Sequence, residues 1–135
     1  MRVFLDTNVL ISAFTTRGIC ADVLTVVLAE HELVVGEAVL KELARVLRQK
    51  MKIPMVTVEE ATSFLREEGI VVSAESIPGL SAIRDPDDRQ VVAEAMAGTA
   101  DLLVSGDRDL LDVAGELPVE VVSPRGFWEE LQGRR

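Results

Sequence analysis

The chain has 135 residues, with 23 Asp and Glu against 14 Lys and Arg, for a formal net charge of −9. That length suits a single domain, 1–135, around one core, and 48% hydrophobic with 27% charged residues excludes a disordered polymer. So acidic a balance argues against a general nucleic-acid coat protein, which is basic, but not against an enzyme whose acidic site is filled by metal ions.

The first predicted strand is "RVFL", Arg2–Leu5. It begins so early that no signal peptide is expected ahead of it. Val9–Phe14 reads as a short helix, Gly18 interrupts, and Ala21–Glu30 continues helical. Cys20, the single cysteine, lies in this apolar stretch and reads as a small buried residue; with no intrachain disulfide to form, a reducing cytoplasm is the simplest setting. His31, the single histidine, falls just before the second strand, Glu32–Val35, at the wrong end of it for a site. Glu37–Lys50 is helical, and Pro54 prevents its extension. Thr57 with Glu60 forms a T-x-x-E capping box for a helix that ends at Gly69. "IVVS" is the third strand, and Ser73–Arg84 is the longest irregular stretch. Asp85–Pro86 opens another helix, with Pro at its first position, and Gly98 closes it. "DLLV" at 101–104 and "VEVV" at 119–122 are the fourth and fifth strands. Ser123–Pro124 starts a terminal helix carrying Phe127, Trp128 and Leu131, a segment able to cover the sheet. No apolar run approaches the length needed to cross a bilayer, so no membrane is expected. Strands alternating with helices imply a parallel sheet with right-handed crossovers.

In such a sheet the C-terminal ends of the strands form one rim. Asp6 follows the first strand directly, with no Lys or Arg nearby in sequence to pair with it. Asp107 follows the fourth strand by a tight turn. If these two strands flank the point where strand order reverses, the two acids share a crevice. Local capping explains either one alone: an Asx-turn at Asp6 or Asn8, and a helical turn at Arg108–Asp112 headed by Asp107. Asp88 is the third of three acids in "DPDD". With Asp85 as the N-cap it sits at N3, where acids favour the helix dipole, yet three acids exceed what one cap needs. That helix leads directly into strand four, so spacing alone does not bring its start to the rim. Glu42 borders the apolar stripe of its helix, with Val39 at i−3 and Val46 at i+4, whereas Glu37 has Lys41 at i+4 for a solvated ion pair. A carboxylate bordering a core is costly unless compensated. Together Asp6, Glu42, Asp88 and Asp107 can form an acidic cluster with no obvious basic partner. Oxygen ligands of this kind suit Mg²⁺ or Mn²⁺, and metal-assisted phosphodiester hydrolysis needs no histidine base.

These elements resemble, in order and spacing, the motifs of the PIN-domain family. "FLDTNVLIS" is similar to its N-terminal motif, "VLKELARVL" to its acidic helix, and "DDRQVVAEAMAGTADLLVSGD" to its paired closing motifs. The resemblance implies a three-layer α/β/α fold with strand order 3-2-1-4-5 and a Mg²⁺- or Mn²⁺-dependent nuclease. Its catalytic and metal-binding acids map to Asp6, Glu42, Asp88 and Asp107, with Asp109 as an auxiliary metal ligand. Asn8 and Ser105 match positions that orient the acids or a water; Ser105 stands where the family commonly has Thr. Asp87 leaves the third ligand's register open by one, and the apolar spacing that follows favours Asp88. A short PIN domain standing alone resembles the VapC-like toxin of a toxin–antitoxin pair. That implies an RNA substrate, a small antitoxin partner, a homodimer and a cytoplasmic setting.

For RNA, Lys41, Arg45, Arg48 and Lys52 stand at i, i+4, i+7 and i+11 and form a candidate phosphate track beside Glu42. A solvated helix face accounts for the same spacing. Arg17 is a candidate loop contact. Two other readings compete. A phosphatase would want a second Asp at position 8, which is Asn, and a receiver domain would want an Asp after strand three, where "IVVSAES" has none. A PIN-like module without activity, serving only in binding, is the other alternative.

Overall fold

Val3, Phe4 and Leu5, three consecutive residues of the first strand, are fully buried. Because strand side chains alternate between faces, such a run requires cover on both sides of the sheet. Leu102, Leu103 and Val104 of the fourth strand repeat the pattern. The computed structural model describes residues 1–75 and 80–133. It has five parallel strands: β1 (Arg2–Leu5), β2 (Glu32–Gly36), β3 (Ile70–Val72), β4 (Leu102–Val104) and β5 (Glu120–Val122), in the order 3-2-1-4-5. The helices are α1 (Thr7–Thr15), α2 (Ile19–Glu30), α3 (Glu37–Arg45), α4 (Met55–Glu68), α5 (Pro86–Ala97), α6 (Arg108–Asp112) and α7 (Pro124–Gly133). They sandwich the sheet in a three-layer α/β/α arrangement, the expected architecture. Buried parallel strands of this kind read as continuous apolar runs, which is why they were visible in sequence.

The register fixes the site. Leu5 of β1 pairs with Val104 of β4, and Val35 of β2 with Val71 of β3. The chain leaves β1 toward β2 and β3 on one side, then returns to β4 and β5 on the other. The reversal therefore lies between β1 and β4, where Asp6 and Ser105 follow the last strand residues.

Several local expectations change. The T-x-x-E box at Thr57 and Glu60 does not form: α4 starts at Met55, because the Pro54 carbonyl already accepts the Val58 N–H at 3.1 Å and puts Thr57 inside the helix. α3 does not continue as a regular helix to Lys50. Residues Val46–Lys50 form a π-helical turn, in which the Met51 N–H donates to the Val46 carbonyl at 3.1 Å. Lys52 lies beyond this turn in left-handed backbone (φ 57°), so it is not the fourth member of a helical stripe. Residues 76–79 of the long irregular stretch lie outside the described residues. Phe127 of α7 is fully buried, with Trp128 and Leu131 packed partly against the core, so the terminal helix does cover apolar surface. No single helix among the described residues is long and apolar enough to cross a membrane; α1 and α2 meet at a 103° bend.

Candidate active site

Asp6 ends β1 and caps α1. It is only 5% exposed. Its Oδ1 accepts the Thr7 N–H at 2.7 Å, and its Oδ2 accepts the Ser105 hydroxyl at 2.7 Å. Burial pushes its carboxyl above the ordinary range; the bonds from Ser105 and Thr7 oppose this, and the Asp107 charge adds to it. Ser105 is fully buried after β4, and its Oγ also accepts the Asp107 N–H at 3.0 Å. One hydroxyl thus ties the two strand-end acids together. Asn8, the second residue of α1, accepts the Gly106 N–H on its Oδ1 at 3.1 Å and holds the β4–α6 loop against α1.

Asp107 caps α6, accepting the Asp109 N–H at 2.9 Å. That cap sets Asp109 in the first turn, and carboxylate oxygens of Asp88, Asp107 and Asp109 all lie within 4.8 Å of one another. Asp88 reaches them from the start of α5, which Asp85 caps by accepting the Asp87 N–H at 2.9 Å. A helix joining parallel strands runs back along the sheet, so it must begin at the C-terminal rim. That geometry brings Asp88 into the site, even though its helix leads into β4. Asp88 is pushed up to about 7, first by burial, then by the charges of Asp107, Asp85 and Asp6 and by a hydrogen bond shared with Asp107. Asp87 faces the same cleft but stands outside the trio.

Glu42 lines the cleft from α3 but is not without a basic partner. Arg45, one turn on, binds it through two hydrogen bonds of 3.0 and 2.6 Å and holds its carboxyl below the usual range. Glu37, expected to pair with Lys41, instead takes a two-pronged bond from Arg66 of α4 at 2.8 and 2.9 Å. A planar guanidinium matches both oxygens of a carboxylate better than an ammonium does. Lys41, Arg45, Arg48, Lys52 and Arg17 are all exposed, and none of them lines the cleft. His31 caps the end of α2 and packs edge-on against Phe127, away from these acids.

The cleft encloses about 450 Å³. Sequence reasoning missed two features, one lining the cleft and one buried behind it. Lys50 of the π turn lines the cleft, which regular helical spacing would not show. Glu94, inside the apolar run "VVAEAMA", is 1% exposed and accepts the Ala38 N–H at 3.0 Å, under the start of α3. An acid inside that run was the available signal.

A family model for the PIN domain matches residues 2–109. Among solved structures, the chain is similar to the VapBC2 structure from Rickettsia felis, bound to a DNA fragment from its promoter. The TM-score there is 0.66 and the identity 14%, over 91% of this chain and 98% of that one. It is also similar to the structure of VapBC-1 from nontypeable Haemophilus influenzae, with a TM-score of 0.64 and 16% identity over 93% of this chain and 99% of that one. No curated protein matches the chain in sequence.

Proposed function

Because the chain belongs to the PIN-domain family, we propose that it is a metal-dependent endoribonuclease acting as the toxin of a toxin–antitoxin pair. The observation that carries this reading is the convergence of Asp88, Asp107 and Asp109 beside buried Asp6 in an open cleft. Burial, and then the charges of Asp107, Asp85 and Asp6, raise Asp88 to about 7, so its negative charge there lacks compensation that a cation would supply. An all-oxygen donor set fits a hard divalent ion, Mg²⁺ or Mn²⁺. Asp88, Asp107 and Asp109 would hold it, with Asp6 and Glu42 bordering the same space. When bound, such an ion supplies an activated water and neutralises charge developing on the phosphate. The protein's part is positional. Ser105 fixes Asp6 and the Asp107 backbone, and Asn8 fixes the loop between them.

The test is cleavage of RNA by purified protein. Cutting with Mg²⁺ or Mn²⁺ should be abolished by EDTA, and Asp88→Asn and Asp107→Asn should lose both cutting and calorimetric Mn²⁺ binding while circular dichroism stays native. Undiminished cutting in EDTA would overturn the reading. A binding-only module would take up RNA and metal but leave the RNA intact. For the partner, the VapBC names of both similar structures support an antitoxin; the homodimer and the cytoplasmic setting rest on the family resemblance alone. Co-purification with the product of the adjacent reading frame, and loss of cutting in that complex, test the pairing.

A further inference from the structure

We infer that Lys50 is the residue that receives the RNA backbone phosphate in the cleft; this rests on the nuclease reading above. Glu42, Val46 and Lys50, each four residues apart, all line the cleft. In an uninterrupted α-helix the residue eight positions on has rotated about 80° away from the first. Here the π turn over Val46–Lys50 spreads more residues around the axis and takes up that drift. It keeps position 50 in line with position 42.

The turn is held in place from beyond its end. The Ile53 N–H donates to the Leu47 carbonyl at 3.0 Å, Arg48 Nη1 donates to the Ile53 carbonyl at 3.4 Å, and Lys52 adopts left-handed backbone to let the chain turn back. A non-glycine residue tolerates such backbone only where surrounding contacts enforce it.

Charge completes the case. The ionisable groups lining the cleft are Asp6, Glu42, Asp85, Asp87, Asp88 and Asp107, together with Lys50, its one cation among the described residues. Arg45 is engaged by Glu42 and Arg66 by Glu37, whereas Lys50 acts on Glu42 only through its charge and forms no salt bridge among the described residues. A polyanion entering so acidic a cleft meets repulsion on every side except at a metal and at Lys50. An ammonium on a flexible stem suits a phosphate as a point charge, with no base preference.

The experiment measures binding apart from turnover. Anisotropy of a labelled single-stranded RNA is followed in Ca²⁺ across a salt series, for wild type, Lys50→Ala, Lys50→Arg and a control at the opposite end of β1, Arg2→Ala. Mn²⁺ affinity is measured calorimetrically for each. Lys50→Ala should weaken RNA binding about tenfold and flatten the log–log salt slope by about one, while Lys50→Arg and Arg2→Ala stay close to wild type. Mn²⁺ affinity should be kept or raised in Lys50→Ala, because a repelling cation has gone. If Lys50→Ala binds RNA like wild type with the same slope, the inference fails while the nuclease reading stands. If wild type itself neither cuts nor binds RNA, the nuclease reading fails and takes the inference with it.

Discussion

The first N–H groups of α3 have no partners within the helix, and the residue at its N-cap, Gly36, has no side chain to offer. Glu94 of α5 supplies the acceptor from across the core, with Oε2 bound to the Ala38 N–H at 3.0 Å. The space it uses is the space a side chain at position 36 would fill. A Cβ there would overlap the carboxylate, 2.7 Å from Glu94 Cδ, and would stand 3.0 Å from Phe4 Cζ. Gly36 has φ −90°, which any residue can adopt, so the glycine is required by room and not by conformation. Glu94→Ala should leave the Ala38 N–H unsatisfied and open a void, costing about 2–4 kcal/mol in urea unfolding. Gly36→Ser in the native background should be destabilising by about 1–3 kcal/mol through overpacking. Combined with Glu94→Ala, the same serine should find room, cap α3 and recover about 1 kcal/mol. The substitution at 36 thus changes sign with the residue at 94. If Gly36→Ser cost the same in both backgrounds, the carboxylate would not be what fills that space, and Phe4 would be the wall instead.

Burial pushes Glu94 above its ordinary 4.5, opposed by the Ala38 N–H. Its stabilising contribution is therefore complete below that value and is lost as pH rises through the higher folded one. Glu94→Gln should gain in Tm on wild type at pH 8 and lose that advantage toward pH 5. Asp88 obeys the same sign over a window from 3.8 to about 7. Metal-free wild type should lose stability across it, by an upper limit of roughly 4 kcal/mol that residual solvent contact reduces, and Asp88→Asn should flatten the profile. Ser105→Ala removes the donor to Asp6 and the acceptor of the Asp107 N–H, so it should cost about 1–3 kcal/mol in urea and slow RNA cutting, with Ser105→Thr restoring both. Asp107→Ser keeps a capping oxygen and removes the charge, so calorimetry should show the fold retained and Mn²⁺ binding weakened; wild-type Mn²⁺ affinity would remove Asp107 from the ligand set.

Much of this fold was legible in sequence because its central strands are buried on both faces and its turns carry strong punctuation. Pro86 at the first position of α5 and Asp85 before it mark a helix start that the structure reproduces. The strand order rested on resemblance, since periodicity does not say which strands are neighbours. The failures are instructive. Arg45 was within reach of Glu42 at i+3, a helical neighbour as close as those at i−3 and i+4 that suggested an unpaired acid. The partner of Glu37 lies 29 residues away on α4, where no local spacing points. The π turn that redirects Lys50 has no composition signal, so a stripe drawn at 3.6 residues per turn placed the cations wrongly from position 46 onward.

The hardest ambiguity in the sequence, whether an Asp at the rim is a helix cap or a metal ligand, arises because one carboxylate has the capacity for both. Asp6, Asp85 and Asp107 each head a helix and accept an N–H from its first turn. Each carboxylate oxygen has two lone pairs, so one backbone bond leaves capacity for a cation. Capping also does part of the assembly: it is the bond from the Asp109 N–H to Asp107 that sets the neighbouring carboxylate beside Asp88. The partial positive charge at a helix start offsets some of the repulsion among acids gathered at one rim. A parallel sheet starts its connecting helices at the same edge where its strand-end residues collect, so a cluster of caps and a cluster of ligands are built by the same topology. What separates them is burial and crowding. Asp6 is closed off beneath Ser105, and Asp88 is driven to about 7 by burial and then by its neighbours' charges; an acid serving only as a solvent-facing cap requires neither.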